Sequence, residues 1–318
     1  MKPYLIAVDI GGTQIRAALC DAQGTIYHRV ADATAPQEGS AAVMDRIERA
    51  IRQVWPADTA VEHIGVTAPG PLDPWRGVVL EAPNIPCWEN YPLRDTIQQR
   101  LGIPTLVGND ANLAALAEQW FGAGQGKRHL IYITISTGVG GGIIVDNKLL
   151  LGAQGLAGEL GHIKVRPDGP LCGCGSPGCL EAQTSGPSIA RAARQRILAG
   201  ESSRALALAQ GNAEAITARL LNQAAQEGDP LAMDVFSQAG AYLGLGLVTL
   251  LHLFNPEMII IGGSVSKAGD LLLEPARQIV RARSITEHYW RDTPIVLADL
   301  GDDVGLLGAL ALVLSQQA

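Results

Sequence analysis

Aromatic side chains are scarce, at 4% of 318 residues, so the 47% apolar share that must supply the core is mostly aliphatic. Positive charge is in deficit: 24 Lys and Arg against 31 Asp and Glu leave a net charge of −7, which offers no basic footprint for nucleic acid. No block of like charge suggests a tail, and no low-complexity linker stands out. The greasiest runs, 241–254 and 304–314, stop short of the ~20 residues that a membrane span needs. Residues 1–9 pass at once into a strand-like run that Asp9 ends, so no export segment is expected. The five cysteines are odd in number and three are clustered, which argues against a secreted disulfide framework and for a reducing compartment. These absences together predict a soluble cytoplasmic protein with neither a nucleic-acid nor a membrane partner, and its length predicts about two domains.

The cysteine cluster is the most informative feature present. Cys172, Cys174 and Cys179 follow His162 in a stretch rich in Gly and Pro, and Glu159 and Glu181 bracket it. One imidazole and three thiols meet the demand of tetrahedral zinc, and no further group leaves an open catalytic position, so the spacing predicts a structural site. Glu159 and His162 also form an E-x-x-H pair, but Gly158 and Gly161 argue against the sturdy helix that a di-iron site needs. Cys20 and Cys87 read as ordinary apolar or incidental cysteines.

Strands are predicted near 5–8, 15–19, 25–30 and 61–66, with a helix carrying Val43, Met44, Ile47, Ile51 and Val54 between the last two. A strand ending at Leu106-Val107 leads through Gly108-Asn109-Asp110 into a helix over 111–120. The opening pattern then recurs at 130–151: a strand, a glycine-rich turn over 136–142, and two hairpin strands. We read this as a weak internal duplication, giving two α/β lobes with a cleft between them. The remainder is mostly helical, with a helix that starts at Asp229-Pro230 and runs to about Phe254 before Pro256, a strand at 258–261 and a last apolar helix after Gly305.

Three glycine turns follow strands. Asp9-Ile-Gly11-Gly12-Thr13 lets backbone N–H groups approach an anion, and Asp9 at a strand end can hold Mg²⁺ directly or through water; a tight hairpin with a solvated Asp explains the same residues. Residues 134–142 hold hydroxyls and four glycines, including Thr137 and Gly138, and suit a polyphosphate, although no Gly-Lys-Ser/Thr makes them a P-loop. Gly262-Gly263-Ser264 is the third turn. Asp110 suits a general base accepting a hydroxyl proton, with Asn109 beside it on the same substrate; capping the helix is the commoner use of such an Asp.

These motifs, with Ala68-Pro-Gly70-Pro-Leu-Asp73 and Pro83-Asn84, resemble the ROK family of sugar kinases and sugar-responsive repressors over nearly the whole chain, and most closely its ATP-dependent glucokinases. The resemblance implies a two-lobed, actin-like ATPase (ribonuclease H-like) fold: 1–109 with 304–318 as a small lobe, and 110–303 as a larger lobe carrying the zinc. It implies Asp110 as the base toward the sugar 6-hydroxyl. Gly70, Asn84, Asn109, Glu159, His162 and Glu181 would contact the sugar, with one His162 nitrogen on zinc and the other on a hydroxyl. Asp9, Gly11, Gly12, Thr13, Thr137 and Gly138 would handle the ATP phosphates and Mg²⁺, and Gly262 and Gly263 would flank the adenosine. A homodimer or homotetramer is implied. Family repressors carry a helix-turn-helix before the first strand, whereas eight residues precede Asp9 here, so a kinase is expected, for glucose or else N-acetylmannosamine, N-acetylglucosamine, mannose or fructose, with ATP or polyphosphate as donor; a non-catalytic sugar-sensing regulator is the remaining alternative.

Overall fold

The computed structural model describes residues 4–56 and 60–316, so the first three residues of the strand-like start lie outside the described residues. In chain order, β1 (Tyr4–Ile10), β2 (Gln14–Cys20), β3 (Ile26–Ala33), α1 (Ser40–Val54) and β4 (Val61–Ala68) open the chain. Short strands β5 (Leu72–Asp73), β6 (Val78–Glu81) and β7 (Glu89–Tyr91) follow, then α2 (Leu93–Leu101), β8 (Thr105–Asn109) and α3 (Asp110–Phe121). Next come β9 (Leu130–Ile135), β10 (Val139–Val145), β11 (Lys148–Leu149), α4 (Glu181–Thr184), α5 (Gly186–Leu198), α6 (Arg204–Leu208), α7 (Ala218–Gln226) and α8 (Pro230–Phe254). The chain closes with β12 (Met258–Gly262), α9 (Asp270–Arg283), β13 (Ile295–Leu297) and α10 (Val304–Ser315).

Two five-stranded sheets have the orders β3-β2-β1-β4-β8 and β11-β10-β9-β12-β13. Numbered within each sheet, both read third, second, first, fourth, fifth, so the duplication read from the sequence is present as topology. In each, the hairpin pair at one side is antiparallel and the later strands join in parallel. Parallel strands need helical crossovers, which is why the alternating helices follow. Contacts divide the chain into two compact units, residues 1–127 with 142–158 and 299–318, and residues 128–141 with 159–298.

In the first unit, α1 buries Val43, Met44, Ile47, Ile51 and Val54, the residues whose spacing predicts the helix. They share a core with Ile6, Val8, Ile64 and Val66 of the sheet. Alternate residues Leu5 and Ala7 face a second core built with Leu306, Leu310 and Val313 of α10. Backbone meets backbone there: a Cβ on Gly65 of β4 would lie 2.0 Å from the Ala309 carbonyl oxygen, so only glycine fits. The loop after β4 is more ordered than its Pro-Gly-Pro sequence suggests, because β5, β6 and β7 form a small antiparallel sheet.

Glu118 of α3 is fully buried and ties this unit together. Its carboxylate accepts from the N–H groups of Ala123 at 2.9 Å, Asp299 at 3.1 Å and Leu300 at 3.1 Å. Replacement by Gln leaves one acceptor oxygen and turns an NH₂ toward N–H donors. Glu118→Gln is expected to destabilise folding by roughly 2–3 kcal/mol, the cost of buried donors left unpaired; an unchanged denaturant midpoint would contradict this.

In the second unit, β12 pairs in parallel with both β9 and β13. Asp229 caps α8 as its sequence predicts, accepting from the Ala232 N–H at 2.9 Å. The helix corrects one expectation. At 25 residues it is long and apolar enough, by length and composition, to cross a membrane, because the apolar pattern continues N-terminal to residue 241. Its glycines show what the apolar surface does here: a Cβ on Gly240 would lie 2.3 Å from the Leu272 carbonyl oxygen, and one on Gly244 2.6 Å from that of Ala276, so α8 packs tightly against α9.

Candidate active site

The turn between β1 and β2 is held at several points. The Gly11 N–H donates to the Gln14 carbonyl at 2.9 Å, and the Thr34 hydroxyl donates to the Gly11 carbonyl at 2.6 Å. Gly12 is glycine for clearance, since a Cβ there would lie 2.5 Å from the Cβ of Asn84. That close approach brings Asn84, an exposed residue, to the turn, with Thr13 also exposed.

Asp9 sits between Arg16 and Thr67 in the sheet register. Arg16 donates to its Oδ2 through Nε at 3.0 Å and also through Nη2, and the buried Thr67 hydroxyl donates to Oδ1 at 2.7 Å. A carboxylate has about four acceptor sites, so roughly one remains, which fits a metal held through water better than one bound directly. On the remaining side, Gly305 of α10 comes so close that a Cβ on it would lie 2.5 Å from the Asp9 Cγ.

At the β8–α3 junction, the capping residue is Asn109. Its Oδ1 accepts from the N–H groups of Ala111 at 3.0 Å and Asn112 at 3.2 Å, and its Nδ2 donates to the Gly70 carbonyl at 3.1 Å. Gly70 has φ +84° and lies against Glu81 so closely that no Cβ fits. Asp110 is therefore the first residue inside the helix and is exposed, although the next nine residues are buried. Its Oδ1 accepts from the Ala111 N–H at 2.7 Å.

The second unit carries the cysteine cluster. One ligand atom from each of His162, Cys172, Cys174 and Cys179 lies within 4.8 Å of the others. Cys174 and Cys179 sulfurs are 3.7 Å apart, and the Cys172 sulfur is 3.8 Å from His162 Nδ1. A tetrahedron with Zn–S bonds of about 2.3 Å has edges near ~3.8 Å, so the donor set and its spacing fit zinc. His162 lies in a single 3₁₀ turn, Leu160–His162, and its Nε2 is 4.0 Å from a Glu159 carboxylate oxygen. Nδ1 thus faces the cysteines and Nε2 faces away from them. The thiols differ: burial pushes Cys172 up to about 12, and the Ser176 N–H brings Cys174 down to about 7. The Lys164 ammonium donates to the Cys179 sulfur at 2.9 Å, which raises the lysine's own pKa.

Glu181 accepts from the Val139 N–H at 2.9 Å on Oε2 and from the Cys172 thiol at 3.2 Å on Oε1. Zinc ligation removes the thiol proton, so that second bond belongs to the metal-free form and Oε1 is then open to another donor.

The second glycine turn is shorter than expected. Residues 136–138 form the turn, and Gly140, Gly141 and Gly142 belong to β10. The strand glycines answer to packing: a Cβ on Gly141 would lie 2.4 Å from Leu160, and one on Gly142 2.6 Å from Ala115. The second and third turns do meet. Gly263, at φ +86°, lies against the Ile135 backbone, and the hydroxyls of Ser136 and Ser264 are 3.0 Å apart. Beside them opens a cavity of about 520 Å³ lined by Ser136, Thr137, Ser264, the start of α5 at Gly186-Pro187, and residues of α7. Among its walls are Arg219, Lys267 and an Arg194–Glu214 ion pair of 3.6 Å. Asn222, also lining it, has a buried amide oxygen with no hydrogen-bond partner.

Sequence reasoning missed Arg16, Thr67 and Gly305 around Asp9, and all of the cavity wall contributed by α5 and α7. The parallel register places Thr67 and the helix return places Gly305, and neither leaves a local motif. Gln14-Ile-Arg16 was within reach, because a residue across a short hairpin from Asp9 is fixed by the turn length.

The "ROK family" sequence model matches residues 5–316. The chain is 38% identical over 312 residues to a glucokinase of Thermotoga maritima, covering 98% of each chain. It is 41% identical over 312 residues to a glucokinase of Streptomyces coelicolor, covering 96% of each. Among solved structures it is similar to a ROK family glucokinase from Streptomyces griseus in complex with glucose and AMPPNP, with 42% identity, a TM-score of 0.83, and coverage of 99% of this chain and 100% of that one.

Proposed function

The chain belongs to the ROK family, whose glucokinases and hexokinases have the two-lobed actin-like ATPase fold, and on that footing we propose that it transfers the γ-phosphoryl group of ATP to the 6-hydroxyl of glucose. The observation that carries this reading is the β8–α3 junction. Asn109 takes over the helix cap, so Asp110 is placed as an exposed carboxylate at the head of a rigid, buried helix. A carboxylate used only as a cap does not need that neighbour. Asp110 would accept the 6-hydroxyl proton as the oxygen attacks phosphorus and the bond to the leaving phosphate breaks.

Sugar hydroxyls would be held by Gly70 through its backbone and by Asn84, Asn109, Glu159, His162 and Glu181. His162 suits this role because Nδ1 faces the cysteines, so zinc on that nitrogen leaves Nε2 protonated and ready to donate. Zinc would act as a structural staple. Asp9, Gly11, Gly12 and Thr13 would serve the phosphates and Mg²⁺, which when bound neutralises phosphate charge. Thr137 and Gly138 would also serve the phosphates, with the adenosine beside Gly262 and Gly263 in the 520 Å³ cavity. The unpartnered Asn222 oxygen in its wall supports a polar occupant. Five cysteines without disulfides suit a reducing cytoplasm.

An ADP-release assay over a panel of hexoses, with ATP, GTP and polyphosphate as donors, tests this reading. Glucose with ATP is expected to give the highest kcat/KM. A higher value with mannose, fructose or an N-acetylated amino sugar would move the substrate assignment, and no release with any hexose would overturn the kinase reading.

A further inference from the structure

The segment that follows the zinc ligand Cys179 grips both ends of the Ser136–Gly138 turn. Glu181, two residues beyond Cys179, accepts the Val139 N–H at 2.9 Å. Gly186, at the start of α5, donates its N–H to the Ser136 carbonyl at 2.8 Å. Within the turn, the Ser136 N–H donates to the Gly138 carbonyl at 2.8 Å, so fixing the two ends fixes the whole loop. Gly138 is small because Glu181 lies there: a Cβ would be 2.8 Å from Oε2.

The segment itself is anchored at the metal cluster. Cys179 and Leu180 are fully buried, the Leu180 N–H donates to the Ile163 carbonyl at 2.9 Å, and Cys179 bridges Lys164 in antiparallel fashion. His162, another cluster residue, directly precedes Ile163. Two strands of chain that leave the cluster are thus hydrogen-bonded to each other before α4 begins. The Ser188 hydroxyl donates to the Glu181 carbonyl at 3.0 Å and holds α5 against α4.

We propose that Glu181 is a positioning residue for the nucleotide, carrying the order imposed at the zinc cluster to the turn that lines the nucleotide cavity. This rests on the nucleotide reading of that cavity and goes beyond the sugar contact expected of Glu181. A residue that only holds sugar leaves nucleotide affinity unaltered when no sugar is present. A clamp on the Val139 N–H sets that affinity with or without sugar.

The test uses the zinc-loaded protein without sugar and measures the Kd of MgADP by calorimetry, with zinc content and melting temperature recorded for every variant. Glu181→Ala is expected to weaken MgADP about tenfold, the scale of one charge-assisted hydrogen bond, at unchanged zinc content. Glu181→Gln offers an amide oxygen to the same N–H and is expected to bind within about twofold of wild type, even where its KM for glucose rises. Should the alanine variant lose zinc or fail to fold, Glu181→Asp, which keeps the charge but draws the carboxylate back from the Val139 N–H by one methylene, is expected to weaken MgADP by a similar factor. Wild-type Kd in Glu181→Ala, or Gln as weak as Ala, would overturn the clamp. Absence of MgADP binding by the wild-type protein would instead overturn the nucleotide reading, and the clamp with it.

Discussion

Asp110→Asn is expected to bind glucose with near-normal affinity and to lose about 10²–10⁴ in kcat, the range attributable to a positioned general base. The side chains are isosteric, and Asn can still accept from the Ala111 N–H through its amide oxygen, as Asp110 does at 2.7 Å. Helix α3 keeps its cap, because that role belongs to Asn109. What Asn lacks is a basic oxygen for the proton. The expected pattern is therefore a fall in kcat with glucose KM little altered, which marks loss of an interaction made only in the transition state. Calorimetric glucose binding and steady-state kinetics measure the two quantities separately. Turnover within a few-fold of wild type would remove Asp110 from the base role.

Gly305→Ala adds one methyl group and is expected to reduce kcat/KM by about 10²-fold, the scale of a displacement near 1 Å in a group that must be held in place. The added carbon would arrive 2.5 Å from the Asp9 Cγ. Asp9 cannot yield easily, since Arg16 and Thr67 occupy both of its oxygens. Nor can α10, whose Ala309 carbonyl already touches Gly65 and whose Gly308 lies against the Leu113 carbonyl. The strain therefore falls on the Asp9 carboxylate, and the expected signature is a weakened dependence on MgATP with glucose binding intact. Melting temperature tracks the packing cost, and kinetics over a range of Mg²⁺ concentration tracks the site. Wild-type kinetics in a folded variant would show that the exact placement of Asp9 is unimportant.

Much of this was legible in the residues. Apolar spacing located α1, and Asp-Pro located the start of α8, because both signals are local. The cluster of His162, Cys172, Cys174 and Cys179 was legible because a metal site needs particular donor types close in sequence or space, and here three of the four lie within eight residues. The surroundings of Asp9 were not, since Thr67 and Gly305 reach it from distant parts of the chain. Gly140, Gly141 and Gly142 were misread as loop because glycine serves close packing and phosphate approach equally well. The sheet of β5, β6 and β7 escaped notice because strands of two to four residues carry no period to read. The whole span of α8 was legible too, since Asp229-Pro230 marks its start and Pro256 lies just beyond its end at Phe254.

The position of α10 bears on how the first unit comes to be folded. Leu5 and Ala7 of β1 share a core with Leu306, Leu310 and Val313, partners separated by roughly 300 residues of chain, so closure of that core is among the most entropically costly steps in the molecule. The α1 face of the same sheet needs nothing beyond residue 107. During synthesis one face of the opening sheet can thus be completed early, whereas the other, which Ala117 of α3 covers only in part, is closed when the segment 304–315 exists. Leu5, Ala7, Ala18 and Cys20 form a small, strongly apolar strip on that face, and the last helix to be made is what completes its removal from water.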